Sequence, residues 1–176
     1  MASIDDFKAQ LKGGGARPNQ FRVTIVPPIG IVTGLNVANS SFLCKASKLP
    51  GQTLGEIEVP FRGRKIYVAG DREFETWNAT FMNDTDFNIR TAMERWMNGI
   101  NDLADNTGVI SSADYQSDLT VEQLDRDGTT LKSYIFRNAY PLTLADIELS
   151  YETVNAIEEF EVTWRYQPFE ASGVNF

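Results

Sequence analysis

Residues 158–166 read EEFEVTWRY, and the side chains alternate without a break. Phe160, Val162, Trp164 and Tyr166 fall on one side of an extended chain, with Glu159, Glu161, Thr163 and Arg165 on the other. Successive side chains on a strand point to opposite faces, so this stretch reads as a strand with one face on a core. Four large apolar groups on that face require a second layer to cover them. Two further stretches repeat the pattern: FETWNATFM sets Trp77, Ala79 and Phe81 against Thr76, Asn78 and Thr80, and QFRVTIV aligns Phe21, Val23 and Ile25.

The period changes in TDFNIRTAMERWMNGI, where Ile89, Met93, Trp96, Met97 and Ile100 fall on one helical stripe and Asp84 or Thr85 can cap the start. A Met/Trp stripe at this spacing reads as core. SIDDFKAQL predicts a shorter helix, with Ser3 as cap, Asp6 as the capping-box acid and Asp5 favouring the positive end of the dipole. KGGGARPN ends it, so residues 1–19 read as a flexible arm. PPIGIVTGLNVAN reads as a loop or irregular hairpin, and SSFLCKA as a strand that stops at Leu49-Pro50-Gly51.

TLGEIEVPF carries Pro60, which argues for an edge or an excursion from the sheet, and RKIYVAG returns. Residues 50–70 are therefore expected to form a hairpin-like excursion. SDLTVEQL and TLKSYIFRN flank Asp125-Arg126-Asp127-Gly128, a hairpin signal, and ADIELSYE follows a break at Tyr140-Pro141 as a further strand. The expectation is a mostly β protein: an antiparallel sandwich or barrel with one main α-helix and a short N-terminal helix, forming a single domain over residues 1–176.

Composition narrows the chemistry. The chain has 176 residues, enough for one real core, and no histidine, so Ser-His and Cys-His nucleophile pairs and His-containing zinc sites are excluded. The one cysteine, Cys44, cannot form an internal disulfide and reads as core. No apolar run approaches the roughly 18 residues of a membrane helix, and MASIDDFKAQL lacks the layout of a secretory signal. No membrane anchor and synthesis in a cytoplasm are the expectations. Residues 1–72 carry a balance of +5 and residues 73–176 one of −13, which make up the net −8. Two oppositely charged surfaces on one body suit head-to-tail self-association, although sequence halves need not map to separate surfaces.

The catalytic motifs fail one by one. Gly13-Gly14-Gly15 lacks the spacing of a phosphate loop and follows a helix, so it reads as a hinge. Asp125-x-Asp127-Gly128 has no glutamate to complete a calcium loop and reads as a turn. Glu158, Glu159 and Glu161 could supply paired carboxylates for glycoside hydrolysis, but nothing marks one for a raised pKa. Arg62, Arg64 and Lys65 with Tyr67 are the best nucleic-acid patch, opposed by the net charge and by Glu56 and Glu58. No catalytic residue, metal site or cofactor is expected.

Four segments resemble the tail tube protein of contractile-tailed bacteriophages: ARPNQF at 16–21, FLCKASKLPG at 42–51, VPFRGRKIYVAGDREFETWNATFMND at 59–84 and IEEFEVTWRY at 157–166. They occur in the family's order and span most of the chain. The resemblance implies a β-sandwich subunit forming hexameric rings that stack into a hollow tube in the virion, made in the host cytoplasm and without enzymatic activity. It implies as partners further copies of the chain, a contractile sheath, and baseplate and tail-terminator proteins, with DNA only as non-specific cargo. A baseplate tube-initiating or tube-capping protein, or the tube of a phage-like contractile injection system, shares the same resemblance.

By that resemblance the excursion at 50–70 reaches neighbouring subunits. Arg62, Arg64 and Lys65, with Asp71 and Arg72 at its root, would meet charged groups of another copy. Glu148, Glu152, Glu159 and Glu161 are the candidates for a lumen-facing acidic lining that repels phosphate and lets DNA slide.

Overall fold

The structure is a computed structural model and describes residues 3–174. Helix α1 (Ile4–Gln10) leads through a 3₁₀ turn to β1 (Phe21–Ile25), α2 (Val37–Leu43), β2 (Cys44–Ser47), β3 (Thr53–Phe61), β4 (Arg64–Glu73) and β5 (Trp77–Met82). Helix α3 (Asn88–Ile100) and the short α4 (Ser112–Tyr115) follow, then β6 (Ser117–Leu124), β7 (Thr130–Leu144), β8 (Glu159–Arg165) and β9 (Phe169–Ala171).

All strand pairs are antiparallel, and they build two four-stranded layers that share one strand. The first layer runs β1-β6-β7-β9 and the second β7-β8-β5-β2. Among the described residues, strands β3 and β4 pair only with each other. The alternating faces meet between the layers: Trp77, Ala79 and Phe81 with Phe160, Val162 and Trp164, against Val23, Ile25, Leu119, Val121 and Phe136. Phe136 is the hub. Its ring lies 5.0 Å from Trp77, 4.7 Å from Tyr166 and 6.2 Å from Phe169.

Strand β7 can serve both layers because it carries a bulge. Arg137 and Asn138 together stand opposite Asp118 alone, since Ser117 pairs with Ala139 and Leu119 with Phe136. Asn138 adopts a left-handed φ of 54°, which asparagine tolerates better than most residues, and its N–H donates to Asp118 Oδ1 at 3.2 Å. Arg137 donates to the other Asp118 oxygen and, through Nε and Nη2, forms a bidentate pair with Glu170 at 3.0 and 2.9 Å. One guanidinium thus ties β6, β7 and β9 at the bend.

Helix α3 lies against the core-facing side of β8: Trp96 packs edge-on to Trp164 at 5.3 Å, and Arg90 lies 5.4 Å over the Phe160 ring. Trp96 Nε1 donates to the Tyr115 carbonyl at 2.7 Å, so its polar edge is satisfied in the core. Ile89, Met93 and Trp96 are buried as the stripe predicts, whereas Met97 and Ile100 are half-buried. Asp84 accepts from the Asn88 N–H, and Ser3 and Asp6 complete the capping box of α1. Cys44 is buried, and desolvation pushes its thiol up to about 12.

Three expectations fail. Residues Val37–Leu43 are helical where SSFLCKA suggests a strand: Asn36 caps the helix through the Asn39 N–H, and the buried Ser40 hydroxyl returns to the Val37 carbonyl, leaving only Cys44–Ser47 extended. ADIELSYE is irregular, not a strand. The expected break at Tyr140-Pro141 does not occur: Pro141 sits at a register shift opposite Trp164, where its missing N–H is tolerated, and β7 runs on to Leu144. The chain then leaves the sheet, and Leu149 and Tyr151 find no facing strand.

Two outcomes are expected from this packing. Phe136→Ala loses about 3–5 kcal/mol in denaturant unfolding, as for other large aromatic truncations in cores. Arg137 holds the Glu170 carboxyl below its ordinary value of 4.5. The stability from Glu170 is therefore fully present above that value and is lost as pH falls through the depressed one. Thermal melts across acidic pH should show this component in the native chain and not in Arg137→Met.

Candidate assembly surfaces

The β3–β4 hairpin is closed by the shortest possible turn. Phe61 pairs with Arg64, leaving Arg62 and Gly63 between them with φ of 48° and 79°. Both being left-handed is what a two-residue turn of this hand needs to match strand twist. Glycine or asparagine adopts that conformation cheaply, whereas arginine does so under strain. The Arg62 guanidinium lies 5.4 Å over the Phe61 ring.

The register sorts the hairpin into two faces. Ile57 and Val68 are paired, as are Val59 and Ile66, with Phe61 opposite Arg64, so five apolar side chains share one face. They are 43% to 57% exposed. The other face pairs Glu56 with Ala69, Glu58 with Tyr67 and Pro60 with Lys65. Covering the apolar face would contribute on the order of 10 kcal/mol in apolar transfer before association costs. A monomer seldom leaves such a contiguous patch open without a partner for it.

The cations of the excursion divide accordingly. Lys65 is already engaged, its Nζ 2.7 Å from Glu58 on the same hairpin. Arg62 and Arg64 stand at the tip with no carboxylate in ion-pair distance among the described residues. At the root Arg72 donates to the Gln52 side chain, and the Asp71 carbonyl closely approaches Gly55. The five residues are thus spread from tip to root.

The four candidate glutamates separate as well. Glu159 and Glu161 project from the outward face of β8; Lys45 of β2 lies 2.6 Å from Glu159, and Asn78 of β5 donates to Glu161 at 2.9 Å. Glu148 and Glu152 belong to the connecting segment 145–158 and are exposed. The second layer also ends in open edges. Among the described residues, strand β2 pairs only with β5, and residues 140–144 of β7 pair with β8 on one side and with no strand on the other. Helix α1 buries none of its residues, and Ile4 and Phe7 are 75% and 66% exposed.

The apolar hairpin face is the feature that charge-reading of the sequence missed. Its signal was present in Arg62-Gly63, two turn residues set between two alternating runs, which fixes the register and with it the partnership of Ile57, Val59, Ile66 and Val68.

The fold is thus a two-layer body with open sheet edges and a half-exposed apolar hairpin. The comparisons give the family. The phage tail tube protein model matches residues 16–172. The chain is 33% identical to the tail tube protein gp19 of Enterobacteria phage T4 over 162 residues, covering 91% of this chain and 94% of that protein. It is 30% identical to the tail tube protein of Serratia phage KSP90, covering 94% and 95%. A chain in the cryo-EM structure of an extracellular contractile injection system, the PVC sheath/tube terminator in extended state, shares the fold at a TM-score of 0.62 and 14% identity, covering 88% of this chain and 94% of that one. The protein belongs to the phage tail tube protein family.

Arg62→Gly should tighten the hairpin by about 1 kcal/mol by removing the left-handed penalty, which thermal unfolding of the two chains side by side checks.

Proposed function

We propose that this chain is the repeating subunit of a hollow tail tube in a virion. Six copies form a ring, joining their second layers edge to edge at β2 and at residues 140–144 of β7, and the rings stack through the β3–β4 hairpins. The single observation that carries this reading is the second layer's pair of open edges, on opposite sides of one four-stranded sheet. Pairing between copies would satisfy the free N–H and C=O groups on both sides and leave no edge once the ring closes.

In that ring the outward face of β8 and β5 lines the channel. Lys45 balances Glu159, so Glu161 supplies net negative charge there, and Glu152 stands on the neighbouring loop. Carboxylates and neutral amides along the wall repel or ignore phosphate, which suits a conduit for DNA during envelope penetration. The contractile sheath surrounds the tube, and baseplate and terminator proteins close its ends. The chain acts as a non-enzymatic structural part, made in the host cytoplasm. Near-complete coverage of the two tail tube relatives favours the tube subunit over an initiating or capping role.

Negative-stain microscopy of the purified protein over a concentration series tests this. Hollow tubes of uniform width, formed without DNA, are expected. Monomers at every concentration, including after addition of preformed tube ends as seeds, would overturn it.

A further inference from the structure

Segment 145–158 borders a groove on the body that the chain itself leaves empty. It is an open cavity of about 820 Å³ between that segment, the start of α3 and β8. Its lining carries apolar Phe87, Ile147, Leu149 and Ile157, of which Leu149 is 83% exposed and Ile157 65%, together with acidic Asp146, Glu148, Glu158 and Glu159. Arg90, the one cation in the lining, is already held by Glu94, by the Ala145 carbonyl and over the Phe160 ring. Asp146 and Glu148 have no cationic partner among the described residues.

We propose that this groove receives the hairpin tip of another copy, Phe61 packing on its apolar side chains while Arg62 and Arg64 meet Asp146 and Glu148. The inference rests on the tube-subunit reading and names the receiving surface for it. The two surfaces are complementary in both respects that matter. An apolar face with two free guanidiniums at its end fits a groove lined by apolar side chains and free carboxylates. They also lie on different parts of the same chain, so the contact is head-to-tail and propagates copy by copy without self-pairing. An arginine at the strained turn position makes sense if its charge is used on docking. Another exposed apolar segment, α1, suits the groove less well, because Asp5 and Asp6 in its first turn would meet its carboxylates with like charge.

The test uses two full-length variants, Arg62→Glu/Arg64→Glu and Asp146→Lys/Glu148→Lys, checked for native circular dichroism. Each alone should lose about tenfold or more of the pelletable tube fraction. Mixed in equal amounts, they should recover it to within about twofold, because each hairpin then finds a groove of opposite charge. Wild-type tubes with no recovery in the mixture of folded variants would overturn the docking and leave the tube reading standing. Failure of the wild-type chain to assemble, seeded or not, overturns both. If a variant misfolds, Phe61→Cys with Leu149→Cys in a Cys44→Ser background decides the matter under mild oxidation. Disulfide-linked multimers are expected, while monomers only, or efficient linkage of Leu149→Cys to Ile4→Cys instead, would overturn the proposal.

Discussion

One strand has to belong to two sheets, and every other placement follows from that. Residues 130–139 of β7 hold the first layer together, and residues 140–144 continue into the second. The left-handed Asn138 makes the bend, and Asp118 secures it by accepting from both bulge residues. Without that bulge β7 would keep one face throughout, and Phe136 could not face the same core as Trp164.

The same bend ties the two layers together, with β9 strapped across β7 by the Arg137–Glu170 pair. Among the described residues the end strands of both layers, β1 and β9 in the first and β2 in the second, pair on one side, and residues 140–144 of β7 pair with β8 alone. Exposed apolar side chains are likewise spread along the chain, from Ile4 and Phe7 of α1 through the hairpin to Leu149 and Tyr151.

Much of this was legible in the residues. Strands β5 and β8 and helix α3 follow directly from period, because each buries one regular stripe and the stripe is strong enough to override local choice. Helix α2 was hidden because Ser40, Phe42 and Cys44 also alternate as a strand would. The deciding cap at Asn36 lies inside what reads as a loop. The irregular 145–158 segment was misjudged for the opposite reason: Ile147, Leu149 and Tyr151 alternate well but have no facing strand, and alternation without a partner does not make a sheet. The assembly surfaces were visible as charge at Arg62, Arg64 and Lys65, but pairing decides which charges are free. That pairing, with Lys65 already satisfied by Glu58, depends on the register of the fold.

The hairpin has a mechanical consequence. Strand β3 is nine residues long, about 30 Å at ordinary strand rise, and is supported only by β4 beside it. It is a slender cantilever on a stiff block. In a tube joined through such cantilevers, bending would be taken up by flexing of two-stranded ribbons, while the sheets that define the bore keep their shape. The joint between rings would be compliant and the wall within a ring rigid, so the column could curve without narrowing.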